Sequence, residues 1–180
     1  MYRTIVRRRV RSLFAEVNRG NWQAVVDALS DNFVYRFIGD TPLGGTRTVK
    51  ASMQEWFKRI FRLVPDAQLH PQMIVVEGAP WNTRVMTYVK FNGTLPDSNG
   101  AKGGLYENEV MQLMHLKWGK IVSVLTIEDT QRFVNILPLL AAAGIAEAQA
   151  TPINDLPVTQ VSAEVQKSGA GASGVKIASL

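Results

Sequence analysis

The strongest constraint in the chain is the stretch from Tyr106 to Asp129, YENEVMQLMHLKWGKIVSVLTIED. Two apolar-rich segments flank Lys117-Trp118-Gly119-Lys120, where Gly119 supplies the positive φ that a tight turn requires, so the stretch predicts a β-hairpin. With Trp118 and Gly119 as the turn, Lys117 faces Lys120, and the register places Glu109 opposite Glu128, Met111 opposite Thr126, Leu113 opposite Val124 and His115 opposite Val122. Opposed residues share a face, as do residues two apart along a strand. One face therefore carries these eight side chains, a mostly apolar wall with polar groups at intervals, suited to a small-molecule pocket.

A chain of 180 residues, 46% hydrophobic, has enough material for one sizeable core but not for two ordinary domains. Cysteine is absent, which removes disulfides, thiol nucleophiles and thiolate metal sites and fits a reducing, cytoplasmic setting. The net charge of +5 is accounted for by Arg3, Arg7, Arg8, Arg9 and Arg11. No reading motif or basic-aromatic interleaving accompanies them, so no nucleic-acid partner is expected. An Arg-rich, acid-free beginning also suits targeting or an anionic partner. Val6, Val10, Leu13, Phe14 and Val17, however, have helical spacing and lead to the stop Asn18-Arg19-Gly20, which makes a solvated helix face the simpler reading. No apolar run reaches the roughly 18 to 20 residues of a membrane span, and no membrane partner is expected.

Taken in order, a first helix over 2–19 is followed by a short one over 22–29, with Trp22, Val25, Val26 and Leu29 as its buried stripe. Phe33 to Ile38 has a strand composition and ends in the loop Gly39 to Gly45. A third helix begins near Thr48, its expected N-cap, and turns Val49, Met53, Trp56, Phe57, Ile60, Phe61 and Val64 inward before Pro65. Strands are predicted over 68–77, with Pro71 at an edge or start, and over 83–95, then a polar loop over 96–104 and the hairpin. Residues 131–148 predict a helix with a kink or restart at Pro138. The domain is expected to occupy 1–149, and the Gly/Ala/Ser-rich remainder, 150–180, to form a disordered tail.

This order of elements, with the phrases NRGNWQAVVDALSDNFVYRFIGDTPLGG and NEVMQLMHLKWGKIVSVLTIEDT, resembles the nuclear transport factor 2-like superfamily, and within it the SnoaL-like polyketide cyclases, alongside ketosteroid isomerases and limonene epoxide hydrolases. The resemblance covers about Val6 to Phe133. It implies an α+β fold: a cone of curved antiparallel sheet wrapped by N-terminal helices, one apolar cavity, and frequent homodimerisation. The tyrosine, general-base aspartate and protonated aspartate of ketosteroid isomerases fall at Leu13, Arg36 and Met111, none of which can do their work. One aspartate of the epoxide hydrolases falls near Thr126. The cyclases, which use acid/base chemistry without a metal or organic cofactor, end the hairpin on an acid, here Asp129; the register above puts Asp129 on the other face, and a bulge would reverse that assignment.

The residues themselves offer Glu109 and Glu128 on neighbouring strands, where like charges held in an apolar cone raise the pKa of one and leave an acid beside a base. Arg36 either settles between them or binds an anionic intermediate, and the same three residues equally form a structural bridge at the rim or a dimer surface. His115 titrates near neutrality but lies close to the turn. His70 reads as a surface loop residue, while Tyr35, Tyr88 and Tyr106 can orient a substrate oxygen or simply pack. Trp56, Phe57, Met111, Leu113, Val124 and Thr126 are the expected ligand-binding residues, Trp56 and Phe57 serving equally as core. Two histidines far apart in sequence give no metal site. Three functions remain open: a cofactor-independent cyclase, isomerase, dehydratase or hydrolase acting on a small apolar oxygenated molecule; a noncatalytic carrier of such a molecule; and a dimeric interaction module with a filled cavity.

Overall fold

Alternation along the long strands sets the architecture. In β4 (Asn82–Pro96) Thr83, Val85, Thr87 and Val89 are buried while Arg84, Met86 and Lys90 are exposed, so the sheet has one dry face and one open face. The computed structural model describes residues 1–96 and 102–155. Its order is α1 (Tyr2–Asn18), α2 (Gln23–Ala28), β1 (Leu29–Phe37), β2 (Gly45–Arg47), α3 (Lys50–Leu63), β3 (Gln68–Ala79), β4, β5 (Lys102–Lys117), β6 (Lys120–Glu128) and α4 (Thr130–Ala142), with a final 3-10 turn over Ala146–Gln149. The strands form one sheet in the order β2-β1-β6-β5-β4-β3. All neighbours are antiparallel except β1 and β6, which run parallel, so the sheet is mixed rather than wholly antiparallel as expected.

The helices cover the dry face. Val6, Val10, Phe14 and Val17 form a buried stripe along α1, which runs beside β3: Arg7 Nε donates to the Ile74 carbonyl at 3.1 Å and Asn18 Nδ2 to that of Leu69 at 2.9 Å. Met53, Trp56, Phe57 and Leu63 do the same from α3, and Phe133 and Leu140 from α4. Each such side chain contributes about 1.5–3 kcal/mol by leaving water. The result is the expected α+β architecture, a curved six-stranded sheet closed by its N-terminal helices.

Several boundaries differ from expectation. β1 starts at Leu29, and β2 lies in a stretch too short to show alternation. Pro138 sits inside α4, and the break comes instead at Gly144, whose φ of 82° ends the helix. The contacts of the folded body do not stop at 149. Arg59 Nη1 donates to the Thr151 carbonyl at 2.7 Å, and Asp155 Oδ2 accepts from the amides of Thr48 and Val49 at 2.7 and 2.9 Å, just ahead of α3. Ser52 Oγ donates to Asp155 Oδ1 at 2.6 Å, so a residue assigned to the tail braces the approach to α3, whose N-cap is Val49 rather than the expected Thr48. Residues 102–104, assigned to a loop, open β5; 97–101 and the Gly/Ala/Ser-rich run lie outside the described residues.

The hairpin turn is where it was expected, with Trp118 at φ 51° and Gly119 at φ 79°. Its register is not. Leu116 pairs with Ile121, but His115 pairs with Ser123, so Val122 is an extra residue in β6, a β-bulge. Beyond it Met114 faces Val124, Gln112 faces Thr126 and Val110 faces Glu128.

Candidate active site

A cavity of about 120 Å³ lies between the dry face and the helices. Val10, Leu13 and Phe14 of α1 and Trp56, Phe57 and Ile60 of α3 form one side; Tyr35 and Phe37 of β1, Val110, Gln112 and Met114 of β5, and Val124, Thr126 and Glu128 of β6 form the other. The lining is overwhelmingly aliphatic and aromatic. Two polar clusters interrupt it.

The first cluster centres on Glu128. Burial in the apolar wall, reinforced by the neighbouring Asp129 charge, pushes its carboxyl up to about 8. Asn108 Nδ2 donates to Glu128 Oε2 at 3.2 Å, whereas Oε1 is shut off from solvent without a hydrogen-bond partner. The same Asn108 amide donates to the Tyr106 hydroxyl at 2.9 Å, and Asn108 Oδ1 accepts from the Glu109 amide at 2.8 Å. Burial, then the Glu128 charge, raise the Tyr106 phenol well above its ordinary range and keep it a neutral donor.

The second cluster is a relay two residues back along β6. Gln112 Nε2 donates to Thr126 Oγ1 at 3.4 Å, and Thr126 Oγ1 to the Tyr35 hydroxyl at 3.0 Å. Burial holds the Tyr35 phenol above its usual pKa, the Thr126 hydrogen bond opposing it. Behind Tyr35 lies Arg47, fully buried, its guanidinium 5.3 Å from the Tyr35 ring centroid and 5.0 Å from that of Trp56. Burial lowers Arg47 to about 10, so it stays charged at neutral pH, and it donates to the carbonyls of Gly44 at 2.8 Å and Gly45 at 3.1 Å. Trp56 is fixed further by Nε1 donating to the Leu43 carbonyl at 2.8 Å.

Of the residues expected at the site, Glu128, Trp56, Phe57, Val124 and Thr126 line the cavity. Glu109, Met111, Leu113 and His115 do not. The Val122 bulge keeps the anticipated face of β6 inward while turning the anticipated face of β5 outward, where Met111 is 47% and Leu113 45% exposed. Glu109 stands there beside the Tyr88 hydroxyl, and His115 beside Arg84, where burial and then the Arg84 and Lys117 charges hold its imidazole below the ordinary value. Arg36 is on the outer face too, because Phe33, Tyr35 and Phe37 take the inward positions of β1. The Glu109–Glu128–Arg36 grouping is therefore not formed. Asp129 is outside the cavity, capping α4 through the Arg132 amide at 3.2 Å and pairing with Arg132 Nε at 3.3 Å. Among the described residues no three His, Asp or Glu side chains gather as a metal site would need.

Asn108 and Gln112 were not singled out from the sequence. A cue existed: Glu107, Glu109 and Lys117 all fall on the odd positions of β5, which marks the even positions as the dry ones.

A curved α+β sheet enclosing a mostly apolar cavity, with carboxyl and hydroxyl groups set into one wall, defines a small-cavity protein of the nuclear transport factor 2-like class. Residues 10–124 match the SnoaL-like domain, and the chain belongs to that family. No curated protein matches it in sequence. Among solved structures it is similar to PrhC from Penicillium brasilianum, with 16% identity, a TM-score of 0.66 and coverage of 82% of this chain and 95% of that one. It is similar also to the BvnE pinacolase from Penicillium brevicompactum, with 17% identity, TM-score 0.59 and coverage of 75% and 93%. A nuclear transport factor 2-like protein of unknown function from Burkholderia pseudomallei has 16% identity, TM-score 0.60 and coverage of 72% and 95%. At these identities the likeness speaks for the fold alone.

Proposed function

We propose that the chain is a cofactor-independent acid/base enzyme of the cyclase, isomerase, dehydratase or hydrolase type, acting on a small apolar oxygenated molecule held in the cavity. One observation carries this reading: Glu128, a carboxyl raised to about 8, lines an apolar cavity with Oε1 unpartnered. At neutral pH it is mostly the neutral acid. It can give a proton to a substrate oxygen and, as the carboxylate so formed, take one from carbon or from an attacking hydroxyl or water. Tyr35, at the end of the Gln112–Thr126 relay, is placed to hold a substrate oxygen, and the aromatic side provided by Trp56 and Phe57 to pack against its hydrocarbon part. The pinacolase chemistry named for BvnE is compatible with such a site.

The largely apolar lining also favours a second reading, a carrier that binds such a molecule without changing it. Native mass spectrometry of protein from its source, followed by incubation with any molecule found retained, separates the two. Turnover lost in Glu128→Gln with the ligand still bound supports the enzyme; turnover untouched by Glu128→Gln removes Glu128 from the chemistry; binding with no turnover in either supports the carrier.

The functional unit is proposed to be a homodimer through the open sheet face. Val75, Met86 and Leu113 lie side by side across three strands there, next to Met73 and Met111, and all five are exposed. Such a patch on one protomer is what a second copy covers. Light scattering of Leu113→Lys tests it: a monomer is expected, and an unchanged dimer would move the interface elsewhere.

A further inference from the structure

The end of the molecule where α1 begins carries a feature that neither the cavity nor the sheet face explains. Two tryptophans distant in sequence meet there. Trp81, in the β3–β4 turn, and Trp118, in the β5–β6 turn, have ring centroids 6.2 Å apart and are 60% and 74% exposed. The Trp118 amide donates to the Pro80 carbonyl at 2.6 Å, which ties the two turns together. Trp118 also occupies the left-handed region, at φ 51°, a conformation that Asn or Gly would take at less cost. A large apolar ring that is neither buried nor locally favoured has its use outside the chain.

The charge around the pair is mainly positive. Lys117 and Lys120 flank Trp118 as a cross-strand pair, and Arg84 follows Trp81 on β4. α1 starts at the same place, because the Tyr2 hydroxyl is hydrogen-bonded to Thr83 Oγ1, and Arg3 comes with it. No carboxylate occurs in 2–15, 78–95 or 110–127; the acids that come near are Glu77, opposite Arg84, and Asp27, whose backbone carbonyl accepts from Lys120 Nζ at 2.9 Å. Exposed tryptophans at projecting tips, ringed by cations, match the boundary between lipid headgroups and acyl chains, where indole rings settle and basic side chains meet anionic heads. No nucleic-acid reading motif accompanies the pair in the sequence.

We propose that this end of the molecule, Trp81 and Trp118 with Lys117, Lys120, Arg84 and Arg3, docks the protein onto the surface of an anionic lipid bilayer. No helix among the described residues is long and apolar enough to cross a membrane, and none is needed, since the contact is interfacial.

The test is sedimentation of the full chain with phosphatidylcholine vesicles containing phosphatidylserine, beside vesicles of phosphatidylcholine alone. Binding to the anionic vesicles is expected, weakening as salt is raised. Each basic side chain near such a surface is worth roughly fivefold in affinity, so Lys117→Gln, Lys120→Gln and Arg84→Gln together are expected to lower it about a hundredfold. Trp81→Ser with Trp118→Asn, which suits the left-handed turn, is expected to abolish the quenching of tryptophan fluorescence by brominated lipid. Absence of binding to anionic vesicles at low salt overturns the proposal. So do equal binding by the tryptophan variant, capture of an oligonucleotide in place of vesicles, and a dimer that this variant dissociates.

Discussion

Asn108 and Glu128, opposite in chemistry and neighbours across the β5–β6 ladder, are joined at 3.2 Å by a single hydrogen bond that occupies one carboxyl oxygen and leaves the other bare. An amide can bond either form of the carboxyl. In the proposed chemistry, the bare oxygen is the one that meets the ligand, and its proton is the one that moves.

Removal of that proton-carrying group should cost turnover more than binding. Glu128→Gln keeps the shape and is expected to lower kcat by about 10²- to 10⁴-fold with little change in KM. Steady-state kinetics on an identified substrate is the check. Activity that depends on the neutral acid should fall as pH rises through about 8.

The same shift makes stability depend on pH. The folded carboxyl sits near 8 against an ordinary 4.5, so between those values the folded chain binds more protons than the unfolded one and stability falls as pH rises. The loss, on the order of 4 kcal/mol, is complete above about pH 8. Urea titrations at pH 5 and pH 8.5 should show it in the parent chain and not in Glu128→Gln.

Substitutions on the outer face of the sheet should leave the chemistry alone. Glu109→Gln, His115→Ala and Arg36→Ala are each expected to change kcat/KM by less than about threefold, since none of the three lines the cavity. A large loss of kcat in Glu109→Gln would mean that the register on the outer face does not describe the working enzyme.

Arg47 braces the site from behind. Arg47→Met removes the cation between Tyr35 and Trp56 and strips the Gly44 and Gly45 carbonyls of their donor, for an expected loss of about 2–4 kcal/mol. Arg47→Lys should recover only part of it, since an ammonium cannot lie flat between two rings. Thermal unfolding measures both.

The overall plan was legible because it is written in periodicity: the apolar stripe of α1, the alternation in β4, and Gly119 at the turn all follow from local geometry. Half of the site was legible for the same reason, since Val124, Thr126 and Glu128 alternate inward along β6. The other half depended on one residue. Counting outward from Trp118-Gly119 without the Val122 bulge puts Met111 in place of Gln112 opposite Thr126 and Glu109 in place of Val110 opposite Glu128, and nothing local in Ile121-Val122-Ser123 announces a bulge. Arg47 was hidden differently: its role rests on rings and carbonyls supplied from β1, α3 and residue 153, contacts that only the finished fold assembles.

Asp155 has a further consequence for the order in which the protein becomes itself. Its carboxylate braces the backbone at Thr48 and Val49, more than a hundred residues earlier in the chain, and Arg47 reaches to the carbonyl of Ile153 at 3.4 Å. During synthesis the start of α3, and with it the seat of Trp56, must therefore wait unbraced until the last described residues have left the ribosome. A chain interrupted at 149 would hold every element of the sheet, yet its cavity would lack the clasp that fixes one wall.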